Sequence, residues 1–132
     1  LFSTAAEVAA IFQMLLDGGV WQGKRYLSEE TCRLFTTEKS LISRRGLGFD
    51  KPDVDNVKRS PCAPSASEGV YGHTGFTGTC VWVDSASRTV YVFLSNRLCP
   101  DVWNTKLGDM DIRTDIKELI FKSLYSGKEE TL

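Results

Sequence analysis

Two runs rich in β-branched and aromatic residues, 77–83 and 89–95, constrain this chain more than any other feature. They are joined by Asp84-Ser85-Ala86-Ser87-Arg88, a turn-forming stretch short enough for an antiparallel hairpin. The second run, Val90-Tyr91-Val92-Phe93-Leu94, is apolar on both faces, so it is expected to be covered on both sides. Ser85 and Ser87 are turn residues with no neighbouring base in sequence to make either a nucleophile. Directly ahead of the hairpin, Gly72-His73-Thr74-Gly75-Phe76-Thr77-Gly78-Thr79 sets the only histidine beside hydroxyls and glycines at the mouth of a strand. Small residues there let a ligand lie close to the backbone, and the stretch reads as the rim of an active site.

What can cover that hairpin is helical. Thr4 and Glu7 form a Thr-x-x-Glu capping box, after which Ala5, Val8, Ile11, Phe12, Leu15 and Leu16 fall on one face until Gly18-Gly19 ends the helix. An extended piece over 23–27 leads to Ser28, whose hydroxyl caps a second, short helix with Glu29 and Glu30 in its first turn. A last helix over 111–124 presents Ile112, Ile116, Leu119, Ile120 and Leu124 at helical spacing. Residues 46–50 read as a brief strand, and 51–69, rich in Pro, Ser, Asp and Asn, as a long loop that either lies over a site or is a mobile surface loop, two readings that share this composition. The expected fold is α+β: a partial antiparallel sheet of about three strands with helices at both ends. One domain portion spans 1–126, and 127–132 is a frayed tail. A sheet this narrow leaves an edge or a core face unpaired, so a neighbouring segment or a homo-oligomer is expected to cover it.

Composition narrows the classes of function. A formal net charge of −1 gives no footprint for nucleic acid, and Lys24-Arg25 and Arg44-Arg45 read as solvated pairs. Cys32, Cys62, Cys80 and Cys99 are widely spaced without a Cys-x-x-Cys pair, so neither a metal nor a cofactor is expected. Four free thiols and a Cys62–Cys99 disulfide both remain open from spacing alone. Trp82 and Trp103 read as packing residues. The chain opens on Leu1-Phe2 and is expected to be a piece of a longer polypeptide whose targeting signals lie upstream.

Four segments in order then carry a resemblance: Leu1-Phe2-Ser3-Thr4-Ala5-Ala6-Glu7-Val8, Gly46-Leu47-Gly48-Phe49, Gly72 to Thr79, and Phe93-Leu94-Ser95-Asn96-Arg97. Together the chain resembles the carboxy-terminal part of the serine β-lactamase and penicillin-binding-protein-like superfamily, in its class C, esterase-like branch. The resemblance implies a fragment of the β-lactamase/transpeptidase-like fold. Its reaction is acyl-enzyme hydrolysis of an ester, amide or cell-wall peptide, by a Ser-x-x-Lys serine assisted by the tyrosine of Tyr-x-Asn. Neither motif occurs in these 132 residues, so the chain alone is expected to be inert, its partner being the N-terminal half of the same domain. By resemblance His73 and Phe76 belong to the catalytic wall, His73 contacting the tyrosine and Phe76 lending its amide to an oxyanion hole. Thr74 and Gly75 bind substrate, Thr74 through its hydroxyl and Gly75 by leaving room along the strand edge. Histidine in place of the commoner lysine points toward esterase- or peptidase-like members, because imidazole is not a permanent cation near neutral pH. The implied location is the periplasm or cell envelope of a bacterium. Similar domains also occur behind other catalytic domains, such as family 3 glycoside hydrolases of Bacteroidetes. An accessory domain or a pseudoenzyme interaction module is therefore the alternative expectation.

Overall fold

In a computed structural model of the chain, residues 2–37, 40–53, 55–56 and 60–126 are described. The expected frayed tail at 127–132 lies outside them. Helix α1 spans Ala5–Leu16 and starts as its capping box requires: the Glu7 amide donates to Thr4 Oγ1 at 3.3 Å, and the Thr4 amide donates to the Glu7 carboxylate at 2.9 Å. The chain leaves it through Gly19 at φ +90°, where a Cβ would sit 2.2 Å from the Leu27 carbonyl oxygen. Only glycine allows that crossing.

The piece expected to be merely extended is a small hairpin, β1 (Val20–Trp21) paired with β2 (Lys24–Arg25). Gln22 and Gly23 both take positive φ, the geometry of a tight hairpin turn, and glutamine at the first position hides that turn from a reading that looks for Asn or Asp. Helix α2 (Glu29–Thr37) follows, its Thr31 amide held by Ser28 Oγ at 3.0 Å.

The main sheet has the order β3 (Tyr71–Thr74), β4 (Cys80–Asp84), β5 (Thr89–Phe93), antiparallel throughout. Three expectations need correction here. Residues 77–79 belong to the turn between β3 and β4, so His73 and Thr74 lie on a strand of their own. The segment 46–50 is no strand but a single bridge, Asp50 to Gly72, closed by bonds of 2.7 and 3.1 Å. The strand covered on both faces is β4, buried at every residue, whereas β5 is an edge strand with only Tyr91 buried. Alternating apolar residues mark burial potential, and strand order decides which run realises it.

One face of the sheet carries the core of Cys62, Val70, Cys80, Trp82 and Tyr91, closed by Ile116 and Ile120 of α4 (Ile112–Ser126). Phe121 is fully buried, while Leu119, expected to pack, is 68% exposed. The stripe on α4 is therefore rotated from the one read in sequence, and it takes in Lys117, buried to 1%. The four-residue helix α3 (Lys106–Asp109) precedes α4. Across the sheet, α1 lies over β5, and Phe12, Phe49 and Tyr71 form a stack with ring centroids 5.7 and 5.2 Å apart. All four cysteines are free, Cys99 exposed and the other three buried. Trp82 packs as expected, but Trp103 is 83% exposed and is no core residue. Arg44 and Arg45 are not a solvated pair: both face Asp50, at 3.6 and 2.8 Å, and neutralise a carboxylate that is 1% exposed. No described helix is long and apolar enough to cross a membrane.

Candidate active-site wall

The strand β3 brings His73, Thr74 and Gly75 to one end of the sheet edge, where they line a hollow of about 470 Å³ together with Phe2, Val8 and Val92. Strand geometry places them there. Side chains alternate along β3, so Tyr71 and His73 turn toward the α1 side and Gly72 and Thr74 toward the α4 side. Gly72 is required at its position, because a Cβ would meet the Val81 carbonyl at 2.1 Å and the Trp82 ring at 2.8 Å.

His73 is half-buried, with Nδ1 2.7 Å from the Thr74 carbonyl oxygen. A carbonyl only accepts, so Nδ1 carries the hydrogen. In the neutral ring Nε2 is then an acceptor, and it has no partner among the described residues. The histidine is thus oriented by its own backbone and presents one basic nitrogen outward.

Thr74 sits between two hollows. Besides the one it shares with His73, it lines a second of about 360 Å³ with Asp111, Arg113 and Lys117. Its hydroxyl bonds to no described residue. Lys117 donates its ammonium hydrogen to the Pro61 carbonyl and lies 4.5 Å from the Trp82 ring centroid. Burial lowers the Lys117 ammonium pKa below its ordinary value, against weaker opposing contributions from Cys80 and Cys62. Arg113 reaches the Gly78 carbonyl at 3.4 Å. The α4 side of Thr74 therefore carries two basic side chains and one carboxylate, Asp111, and offers donors to an acceptor-rich ligand.

After Thr74 the chain turns tightly: the Gly75 amide donates to Thr79 at 2.7 Å and the Gly78 amide to Gly75 at 3.0 Å. A Cβ on Gly75 would fall 2.3 Å from Thr79 Oγ1, so the glycine makes room for that hydroxyl. Gly78, at φ +96°, leaves space filled by Leu107 and Ser95. Between them the Phe76 amide has no acceptor among the described residues, and its side chain is 73% exposed. Phe76 does not line the His73 hollow itself; it stands at the rim beyond Gly75.

The residue that fixes this turn is Arg97, which the sequence shows only as the end of Ser-Asn-Arg. Its amide donates to the Thr77 carbonyl at 2.9 Å, its Nε to the Phe76 carbonyl at 2.8 Å and its Nη1 to the Asn104 carbonyl at 3.2 Å. Its guanidinium also stacks 4.9 Å from the Phe76 ring centroid. The contact spans 21 positions, so no local pattern announces it. The strand pairing of β3, β4 and β5 creates it.

Comparison with known proteins points to one family. Residues 1–106 match the family described as Beta-lactamase. A "Putative D-alanyl-D-alanine carboxypeptidase" of Escherichia coli O157:H7 is 35% identical over 97 residues, covering 74% of this chain and 22% of the relative. A protein of the same description from Salmonella agona (strain SL483) is 32% identical over 109 residues, 82% of this chain and 25% of its own length. An "N-acetylmuramyl-L-alanine amidase" of Bacillus subtilis (strain 168) is 31% identical over 97 residues, with 74% and 22% covered. The chain thus spans about a quarter or less of the length of the curated relatives it matches.

Proposed function

The chain belongs to the Beta-lactamase family, and from that premise we propose that it supplies the carboxy-terminal wall of an acyl-transfer site in a serine hydrolase acting on cell-wall peptide. The wall is the open end of β3. His73 offers Nε2 to a hydroxyl of the reacting half, where it accepts and returns a proton. Thr74 gives its hydroxyl to the substrate's carboxylate or carbonyl, with Arg113 and Lys117 adding positive potential behind it. Gly75 and its turn hold the Phe76 amide free to bind the oxygen on which negative charge develops. The relatives' names, a D-alanyl-D-alanine carboxypeptidase and an N-acetylmuramyl-L-alanine amidase, favour a peptide or amide over a free ester, and with it a place in the cell envelope.

The observation that carries this reading is the pairing, at one strand end, of an uncommitted Thr74 hydroxyl with an uncommitted Phe76 amide beside an oriented histidine. The nucleophile belongs to the other half of the domain, since the 132 residues hold no Ser-x-x-Lys and no Tyr-x-Asn. The isolated chain is therefore expected to form no covalent adduct with a fluorescent penicillin, and a stoichiometric adduct seen by mass spectrometry would overturn the assignment. In a longer polypeptide that carries both motifs ahead of these residues, Thr74→Val should lower kcat/KM by about tenfold or more with an unchanged folding midpoint. Unchanged turnover removes Thr74 from the site.

A further inference from the structure

At the other end of β3 from His73, a second concavity of about 410 Å³ lies between the C-terminal turn of α2 and the start of the strand, lined by Thr36, Lys51, Glu68, Tyr71 and Ser85 among others. Two of its side chains are buried without a hydrogen-bond partner among the described residues. Tyr71 is 1% exposed and its hydroxyl has no hydrogen-bond partner among the described residues. Lys51 is 5% exposed, forms no ion pair among the described residues, and lies with Nζ 5.3 Å from the Tyr71 ring centroid. The hydroxyls of Trp82's neighbour Tyr91 and the indole of Trp82 are also unpartnered, but they sit in the core and border none of the hollows described here. Tyr71 and Lys51 differ in that open space adjoins them.

A buried phenol with a hydrogen to donate and nothing to receive it costs the fold free energy unless an acceptor arrives, and the Lys51 ammonium beside it has no protein acceptor among the described residues. Thr36 cannot serve, since its hydroxyl is already given to the Cys32 carbonyl at 2.9 Å. Glu68 stands exposed on the wall and makes no bond to Lys51. Its charge opposes a dianion such as phosphate about twice as strongly as a monoanion, and it can meet the ammonium group of a zwitterion.

We propose that this hollow binds a small monocarboxylic acid, its carboxylate receiving hydrogen bonds from Lys51 Nζ and Tyr71 Oη. The proposal is independent of the acyl-transfer reading, because none of these residues touches the His73 end of the strand. Two sources of the carboxylate are distinguishable: a simple organic acid, or an amino acid whose ammonium group meets Glu68.

The test is a titration of the isotope-labelled 132-residue chain followed by amide NMR, with sodium acetate in one arm and D-alanine in the other, each against sodium chloride at equal ionic strength. Saturable shifts centred on Lys51 and Tyr71 are expected, and tighter binding of D-alanine, lost in Glu68→Gln, identifies the amino-acid source. Lys51→Met should weaken binding about tenfold, the loss of one charge-assisted bond, and Tyr71→Phe should weaken it by a smaller factor while preserving the ring and the fold. No saturable response to either acid overturns the proposal. Shifts centred on His73 to Gly75 do the same, as do Tyr71 shifts that survive both substitutions.

Discussion

The two faces of the main sheet are finished differently, although the same three strands build both. On the α4 face Trp82 and Phe121 are fully buried and even a lysine, Lys117, is enclosed with its ammonium bonded and stacked on an indole. On the α1 face no residue of the helix is fully buried, although its sequence is apolar nearly all round, and Ile11 is 54% exposed. The α4 side is a filled core with one described hollow beside Thr74, and the α1 side, although Tyr71 and Val83 are buried beneath it, has hollows at both ends of β3. The contrast teaches that placement of chemistry follows incompleteness. Of the unpartnered hydrogen-bonding groups assigned roles above, His73 Nε2, Tyr71 Oη and Lys51 Nζ border the side that helix packing leaves open, whereas the Thr74 hydroxyl turns toward the α4 side.

The largest test of that contrast is to delete a buried ring on the closed side. Trp82→Ala or Phe121→Ala should cost about 3–5 kcal/mol, enough to abolish cooperative unfolding in a chain of this size, as read by urea denaturation. A loss below about 1 kcal/mol would mean that the α4 face is not the core.

A middle-sized effect is expected at Asp84, the carboxylate where β4, the preceding loop and α4 meet. Burial alone would raise its pKa, but hydrogen bonds from Ser67, Tyr125 and the Ala86 amide outweigh burial and hold it below its ordinary value of 3.8. Because the folded value is the lower one, the stabilisation is fully present above about the unfolded value and is lost as pH falls through the folded value. Asp84→Asn should therefore lower the unfolding free energy at neutral pH by about 2 kcal/mol. It should also flatten the acid limb of the stability curve; an acid limb identical to that of the parent chain contradicts the role.

The smallest effect belongs to the open side. Ile11→Ser on the outer surface of α1 should shift the unfolding free energy by no more than about 0.5 kcal/mol. A cost above about 2 kcal/mol would show α1 to be as well packed as α4 and erase the difference between the faces.

Much of this architecture is legible where the information is local. The Thr4–Glu7 box and the glycines after it specify α1, and the β4–β5 hairpin follows from two β-rich runs around a polar turn. What escapes a linear reading is set by contacts between distant segments. Strand β3 is four residues long and contains Gly72, a weak strand former that exists as a strand because Trp82 and the Asp50 bridge flank it. Lys117 reads as a solvent residue on α4, yet its long apolar stem and a carbonyl at Pro61 make it a core residue. Arg44 and Arg45 read as surface charge until Asp50 is found buried between them. At the site, His73, Thr74 and Gly75 are visible as a motif, whereas Arg97, Arg113 and Lys117 reach them only through the sheet and α4.

Arg97 works on the β3–β4 turn as a tie rod works on a beam. Anchored just past β5 at one edge of the sheet and fastened to Phe76, Thr77 and the Asn104 loop, it braces the turn from outside the strands that form it. The direction of the Phe76 amide is therefore a property of a triangulated frame. The peptide plane that carries that amide also carries the Gly75 carbonyl, held by the Gly78 amide at 3.0 Å, and the carbonyl of the next plane, Phe76, is held by the guanidinium, so re-aiming the amide strains both bonds. Tolerance for error at this point is set by the stiffness of the brace, and a lysine at position 97, which has one compact charged head in place of a flat fork, could hold one of the struts but not all of them together.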